Sequence, residues 1–180
     1  LTMEDCIKIK RYIDINEIKL YVHSIYTLNL CSHPPNSNKI KYALQNLLYD
    51  LEYGFLIGAK GLILHMGYQK DLNNEDALNN YCKNILYLIS KSNKFPLKII
   101  LETPAGMGSQ LGIPIEEFIN VFHKINKLYK LHYSIKHNKQ DNKQDNKQDN
   151  KQDNINKRLG LCIDTAHVFT SGFDIRNSNE

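Results

Sequence analysis

The chain has 180 residues, 42% of them hydrophobic and 23% charged, with a formal net charge of +4. That length supports one domain with a sizeable core, and the mild basicity permits a nucleic-acid partner without requiring one. No apolar run approaches the ~20 residues of a membrane span, no signal peptide is visible, and the cysteines Cys6, Cys31, Cys82 and Cys162 form no C-x-x-C pair. A membrane protein, a disulfide scaffold and a cysteine-based zinc site are thereby disfavoured, and an intracellular, reducing compartment is expected.

A weak helical pattern covers 3–15. The first strand-like run is "IKLYVHS" at 18–24. Ser37 then stands where it can N-cap a helix with Ile40, Leu44, Leu47, Leu48, Leu51 and Phe55 on one face, ended by Gly58 or Gly61. "GLILHMG" at 61–67 is the second run. Asn74 opens a helix that turns Leu78, Cys82, Ile85 and Ile89 inward. "LKIILETP" at 97–104 is the third run. Pro114 suits a first helical position, and Phe118, Val121, Phe122, Ile125 and Tyr129 form the stripe that follows. Four copies of NKQD, closed by Asn154, have no apolar residue, so 138–154 is expected to be a solvated, disordered insertion. "LGLCIDT" at 159–165 is the fourth run.

The runs are continuously apolar, as strands buried on both faces are. Alternation with helices implies parallel strands and right-handed crossovers. The organisation expected is 1–137, the insertion, and a continuation over 155–180. An eight-stranded barrel and an open doubly wound sheet both satisfy this order.

Each run ends in a side chain that can bind a metal: His23, His65, Glu102 and Asp164. In parallel α/β folds the carboxyl ends of the strands open onto one face, where active sites sit. A lone histidine there is commonly structural, and a lone Asp commonly caps the next helix. Four such endings together point to a shared site, because unpaired buried charge is costly. Two imidazoles with two carboxylates suit zinc, manganese or iron. Phosphoryl transfer and sugar isomerisation both remain open at this level.

Four blocks resemble the endonuclease IV family of apurinic/apyrimidinic endonucleases, in family order: "VHSIYTLNLCSHP" (22–34), "LILHMG" (62–67), "ILETPAGMGSQLG" (100–112) and "GLCIDTAHVFTSGFD" (160–174). The resemblance implies a (β/α)8 TIM barrel with three zinc ions. That enzyme class cleaves double-stranded DNA 5′ to abasic sites, leaving a 3′-hydroxyl and a 5′-deoxyribose phosphate. It implies that His23 and His65 bind the first zinc and that Glu102 bridges the first and second. Asp164 would bind the second and His167 the third. A hydroxide between two zincs would attack phosphorus, with the damaged nucleotide turned out of the stack. By the same resemblance Tyr26 contacts DNA, although a packed aromatic is an equal reading. Gly106 and Gly108 allow either a tight turn or close approach of backbone to a phosphate. DNA repair implies a nucleus, an organelle, a bacterial cytoplasm or a viral replication site, and a monomer is expected.

Met66, Thr103–Pro104 and Met107 depart from the family pattern. That pattern also continues with a His, an Asp-x-His and a Glu that have no counterpart after Asp164. About four strand–helix units fit here, against the ~250 residues of a closed barrel, so an incomplete barrel, truncated and inactive alone, is expected. The competing expectations are a metal-dependent sugar isomerase or epimerase, and a remnant without turnover.

Overall fold

The structure, a computed structural model, describes residues 1–140 and 155–176. Most of the NKQD tract, 141–154, lies outside these residues.

Four strands form one sheet: β1 (Val22–His23), β2 (Gly61–Leu64), β3 (Lys98–Glu102) and β4 (Leu159–Cys162). They pair in the order β1-β2-β3-β4, every pair parallel. The helices are α1 (Met3–Ile15), α2 (Lys41–Leu56), α3 (Asn74–Lys91), α4 (Ile115–Gln140) and α5 (Thr165–Thr170).

Register divides the sheet into two faces. Val22, Leu62, Ile99 and Leu159 stand side by side, and His23, Ile63, Ile100 and Gly160 form the next row. The first row joins a core built with Leu44, Leu47 and Leu51 of α2, Tyr81, Ile85 and Leu88 of α3, and Phe118, Val121 and Ile125 of α4. Three consecutive helices therefore cover one face. A doubly wound sheet reverses its strand order and places helices on both faces. Sequential order with one covered face is the wall of a barrel, which decides between the two sequence readings. Among the described residues, β1 and β4 each keep one unpaired edge. Leu161 is 44% exposed and Ile163 69%.

Local signals account for several helix boundaries. Thr2 and Asp5 form a capping box on α1, and the acidic residues of its first turn complement the helix dipole. Asn73 caps α3 by accepting from Asp76 N–H at 2.8 Å. Gly58, at φ +83°, follows the last turn of α2, where a left-handed residue is favoured.

Three expectations need correction. Ser37 does not cap α2, which starts at Lys41 with Ile40 in the cap position and no side-chain cap. The Ser37 hydroxyl instead accepts from Lys39 N–H, because the Pro34–Ser37 turn carries the chain past the cap geometry. Phe55 leaves the buried stripe and packs at a tilt against Phe95, with ring centroids 5.8 Å apart and planes 57° apart. Pro114 sits just before α4, its carbonyl accepting from Glu117 N–H.

The first strand is also shorter than the run 18–24. At a sheet edge with one neighbour, only Val22 and His23 pair fully. Lys60 N–H to Leu20 O and Ser24 N–H to Ile63 O continue the alignment on either side. Finally, α4 runs through Gln140 and so includes the first three residues of the repeat tract.

Candidate metal centre

Strand register delivers the polar side chains to one rim. His23 ends β1, His65 follows β2, Glu102 ends β3 and Asp164 lies just beyond β4. Strand alternation puts His23 and Glu102 on the face away from the helices, in the rows of Ile63 and Cys162 respectively. His167 arrives from the first turn of α5.

Glu102 is the centre of the group. It is 5% exposed, and its Oε2 lies 3.2 Å from His23 Nε2 and 3.4 Å from His65 Nδ1. The rings of His23 and His65 meet edge-on with centroids 4.8 Å apart, and those of His65 and His167 are 5.7 Å apart. Two triads have ligand atoms within 4.8 Å of one another: His23, His65 and Glu102, and Glu102, Asp164 and His167. All five residues singled out in the sequence as ligands are thus brought together, with Glu102 shared.

Hydrogen bonds fix which nitrogens face inward. His23 Nδ1 donates to Ser24 O at 2.9 Å, and His167 Nδ1 donates to Thr103 O at 2.9 Å. In a neutral imidazole the other nitrogen is then an acceptor. In that form His23 Nε2 presents its lone pair to Glu102 Oε2, and His167 Nε2 faces Asp164 Oδ2 at 3.9 Å. Burial is the leading cause that holds the His65 pKa below its ordinary 6.5, outweighing the attraction of Glu102. His65 is accordingly uncharged at neutral pH.

An imidazole lone pair and a buried carboxylate repel one another unless a cation or proton lies between them. A tetrahedral zinc with bonds of ~2.0–2.1 Å places neighbouring ligand atoms ~3.3 Å apart. The contacts at Glu102, 3.2 and 3.4 Å, match that spacing. The donor set fits a divalent transition metal.

Asp164 has two tasks. Its Oδ1 caps α5, accepting from Ala166 N–H at 2.8 Å and His167 N–H at 3.0 Å. These backbone donors, with that of His167 foremost, hold its pKa below the usual carboxylate value, so the group stays anionic at neutral pH. The cap reading of this residue is met through Oδ1, and Oδ2 is left facing His167.

Tyr26 is 70% exposed on the loop after β1. Gly106 and Gly108 adopt φ +80° and +56° in the loop after β3. A Cβ on Gly106 would lie 3.0 Å from the backbone of Ser171, whereas one on Gly108 would meet nothing within 4 Å. Gly106→Ala is expected to lower unfolding free energy by more than the ~1–2 kcal/mol of left-handed strain alone, and Gly108→Ala by about that strain. Urea denaturation of the two variants checks the order.

Two residues without a predicted role organise the rim. Asn29 Oδ1 accepts from Cys31 and Tyr68 N–H, and its Nδ2 donates to Tyr68 O, tying the loop after β1 to the loop after β2. Thr103, 2% exposed, bonds the start of α5. The available signal was a polar residue embedded in each motif block.

Consecutive parallel strands, helices on one face and a converging imidazole–carboxylate group at the carboxyl rim define a barrel-type α/β protein with a candidate metal centre. The chain belongs to the xylose isomerase-like TIM barrel family, whose model matches residues 1–151. Curated relatives bearing the name endonuclease 4 include one from Acanthamoeba polyphaga mimivirus, 28% identical over 165 residues, covering 89% of this chain and 44% of the relative. Another, from Mycoplasmopsis agalactiae, is 27% identical over 161 residues, covering 89% and 45%. The chain therefore spans a little under half the length of these relatives. Among solved structures, endonuclease IV from Thermus thermophilus aligns with TM-score 0.58 at 17% identity, covering 94% of this chain and 48% of that one. A D-tagatose 3-epimerase-like protein aligns with TM-score 0.55 at 20% identity, covering 67% and 46%. These structural likenesses concern the fold. The likeness to endonuclease IV found in the four sequence blocks agrees with the curated relatives.

Proposed function

We propose that this chain is part of a zinc-dependent DNA repair endonuclease that cleaves double-stranded DNA 5′ to abasic sites. The observation that carries the reading is the convergence of His23 Nε2 and His65 Nδ1 on Glu102 Oε2, with Asp164 and His167 completing a second group around the same carboxylate. Support comes from relatives named endonuclease 4.

His23, His65 and Glu102 would hold one ion, and Glu102, Asp164 and His167 contribute to further ones. Zinc supplies a bound water of pKa ~7 and charge stabilisation at phosphoryl oxygens. The chain's own groups orient and exclude. The carbonyls of Ser24 and Thr103 fix the tautomers of His23 and His167. Burial of Glu102 keeps its carboxylate at one position. Tyr26 is exposed on a rim loop, placed to stack on a distorted nucleotide. The open side of Gly108, where a Cβ would meet nothing within 4 Å, admits a phosphate. In this reading the protein acts as an intracellular monomer, and no helix among the described residues is long and apolar enough to cross a membrane.

The test is a nicking assay on duplex DNA with one abasic site, using the full-length protein expressed from its gene. Incision 5′ to the lesion is expected, abolished by chelation and by His23→Ala/His65→Ala. The epimerase-like neighbour makes ketose epimerisation the second reading. Sugar turnover with intact abasic DNA would establish that reading instead.

A further inference from the structure

Thr103 touches every member of the second ligand group, and its role there rests on the metal reading above. It follows Glu102 in the chain. Its hydroxyl accepts from Asp164 N–H at 3.0 Å, and its carbonyl accepts from His167 Nδ1–H at 2.9 Å. It is buried, at the point where the end of β3 meets the turn from β4 into α5, and Thr103 N–H itself donates to Cys162 O. Further along, Thr170 Oγ1 donates to Ala105 O, so α5 lies along the segment that follows Glu102.

We propose that Thr103 is the positioning residue of the Glu102–Asp164–His167 group. Its hydroxyl fixes where α5 begins, and its carbonyl keeps His167 in the tautomer that leaves Nε2 bare towards the ion. The hydroxyl matters because Asp164 caps α5 through Oδ1. If the Asp164 backbone shifts, the cap, the direction of Oδ2 and the position of His167 shift with it. The carbonyl alone would persist in any variant, but the ring would no longer lie opposite it.

The test compares Thr103→Val, which keeps the shape and removes the hydroxyl, with Thr103→Ser, which keeps the hydroxyl. The first readout is the tautomer of His167 in long-range ¹⁵N spectra at pH 8 without metal. The parent and Thr103→Ser should show Nδ1 protonated, and Thr103→Val a mixture of tautomers. The second readout is zinc affinity by chelator competition in a His65→Asn background, which removes a ligand of the other group. Thr103→Val should weaken binding 10–100-fold, the usual effect of losing an outer hydrogen bond at a metal site, with Thr103→Ser within threefold of parent. Zinc loss without His167 tautomer change, or equal losses in both variants that follow their unfolding midpoints, would overturn the positioning role. So would parent-like zinc affinity in Thr103→Val. If the parent binds no zinc in either background, the metal reading fails, and the metal-free spectra still decide whether the hydroxyl sets the ring.

Discussion

At the proposed zinc site, Glu102→Gln is expected to abolish ion binding by both ligand groups, while the metal-free protein becomes no less stable. The first half follows from the shared position of this carboxylate, which lies within ligand distance of His23 and His65 and also belongs with Asp164 and His167. Losing a directly coordinating group exceeds the 10–100-fold cost of losing an outer partner, so affinity should fall by more than ~100-fold. The second half follows from electrostatics. A buried carboxylate is poorly compensated without a cation or a proton on the facing imidazoles. A neutral amide is closely isosteric and can donate to an imidazole nitrogen. Zinc titration with a fluorescent chelator, paired with thermal unfolding in EDTA at pH 8, checks both. A large drop in the metal-free midpoint would show that Glu102 is held by structural hydrogen bonds rather than kept for an ion.

Gly67→Ala gives the largest expected loss of stability. A Cβ there would overlap Asn29 Oδ1 and sit 2.5 Å from Cys31 Sγ, and both neighbours are anchored. Asn29 makes three hydrogen bonds that join two rim loops, and Cys31 is fully buried. Overpacking costs about 1–3 kcal/mol, and each displaced hydrogen bond adds about 1 kcal/mol. Because these loops follow His23 and His65, zinc affinity should fall as well. Chemical denaturation and the same chelator assay measure the two effects. Asn29→Ala should reproduce the affinity loss without the steric clash.

The barrel wall was legible because each strand carries an unbroken apolar run and each helix a periodic stripe. The ligands were legible because they terminate those runs: a chain that buries Leu159 and then presents Asp164 is leaving the core. Strand order was not legible, since period and spacing are the same in a barrel wall and in a doubly wound sheet. Ser37 misled because its type suits a cap, while the preceding Pro34–Pro35 turn decides where the helix can begin. Phe55 was assigned to a stripe by spacing, yet its position at the last turn of α2 brings it beside Phe95. Asn29 and Thr103 stayed hidden because their partners are backbone groups, 39 and 61 residues away, and no side-chain pattern encodes such a pair.

His23 and Glu102 lie 79 residues apart in the chain, and His65 comes from a third strand–helix unit. No short segment carries this set, so an unfolded polypeptide has almost no affinity of the matching kind. An ion at a thousand times its dissociation constant would then deepen the native well by about 4 kcal/mol. Trace-metal supply would govern how long the molecule survives proteases as well as whether it works, and starvation for the ion would be read first as falling abundance.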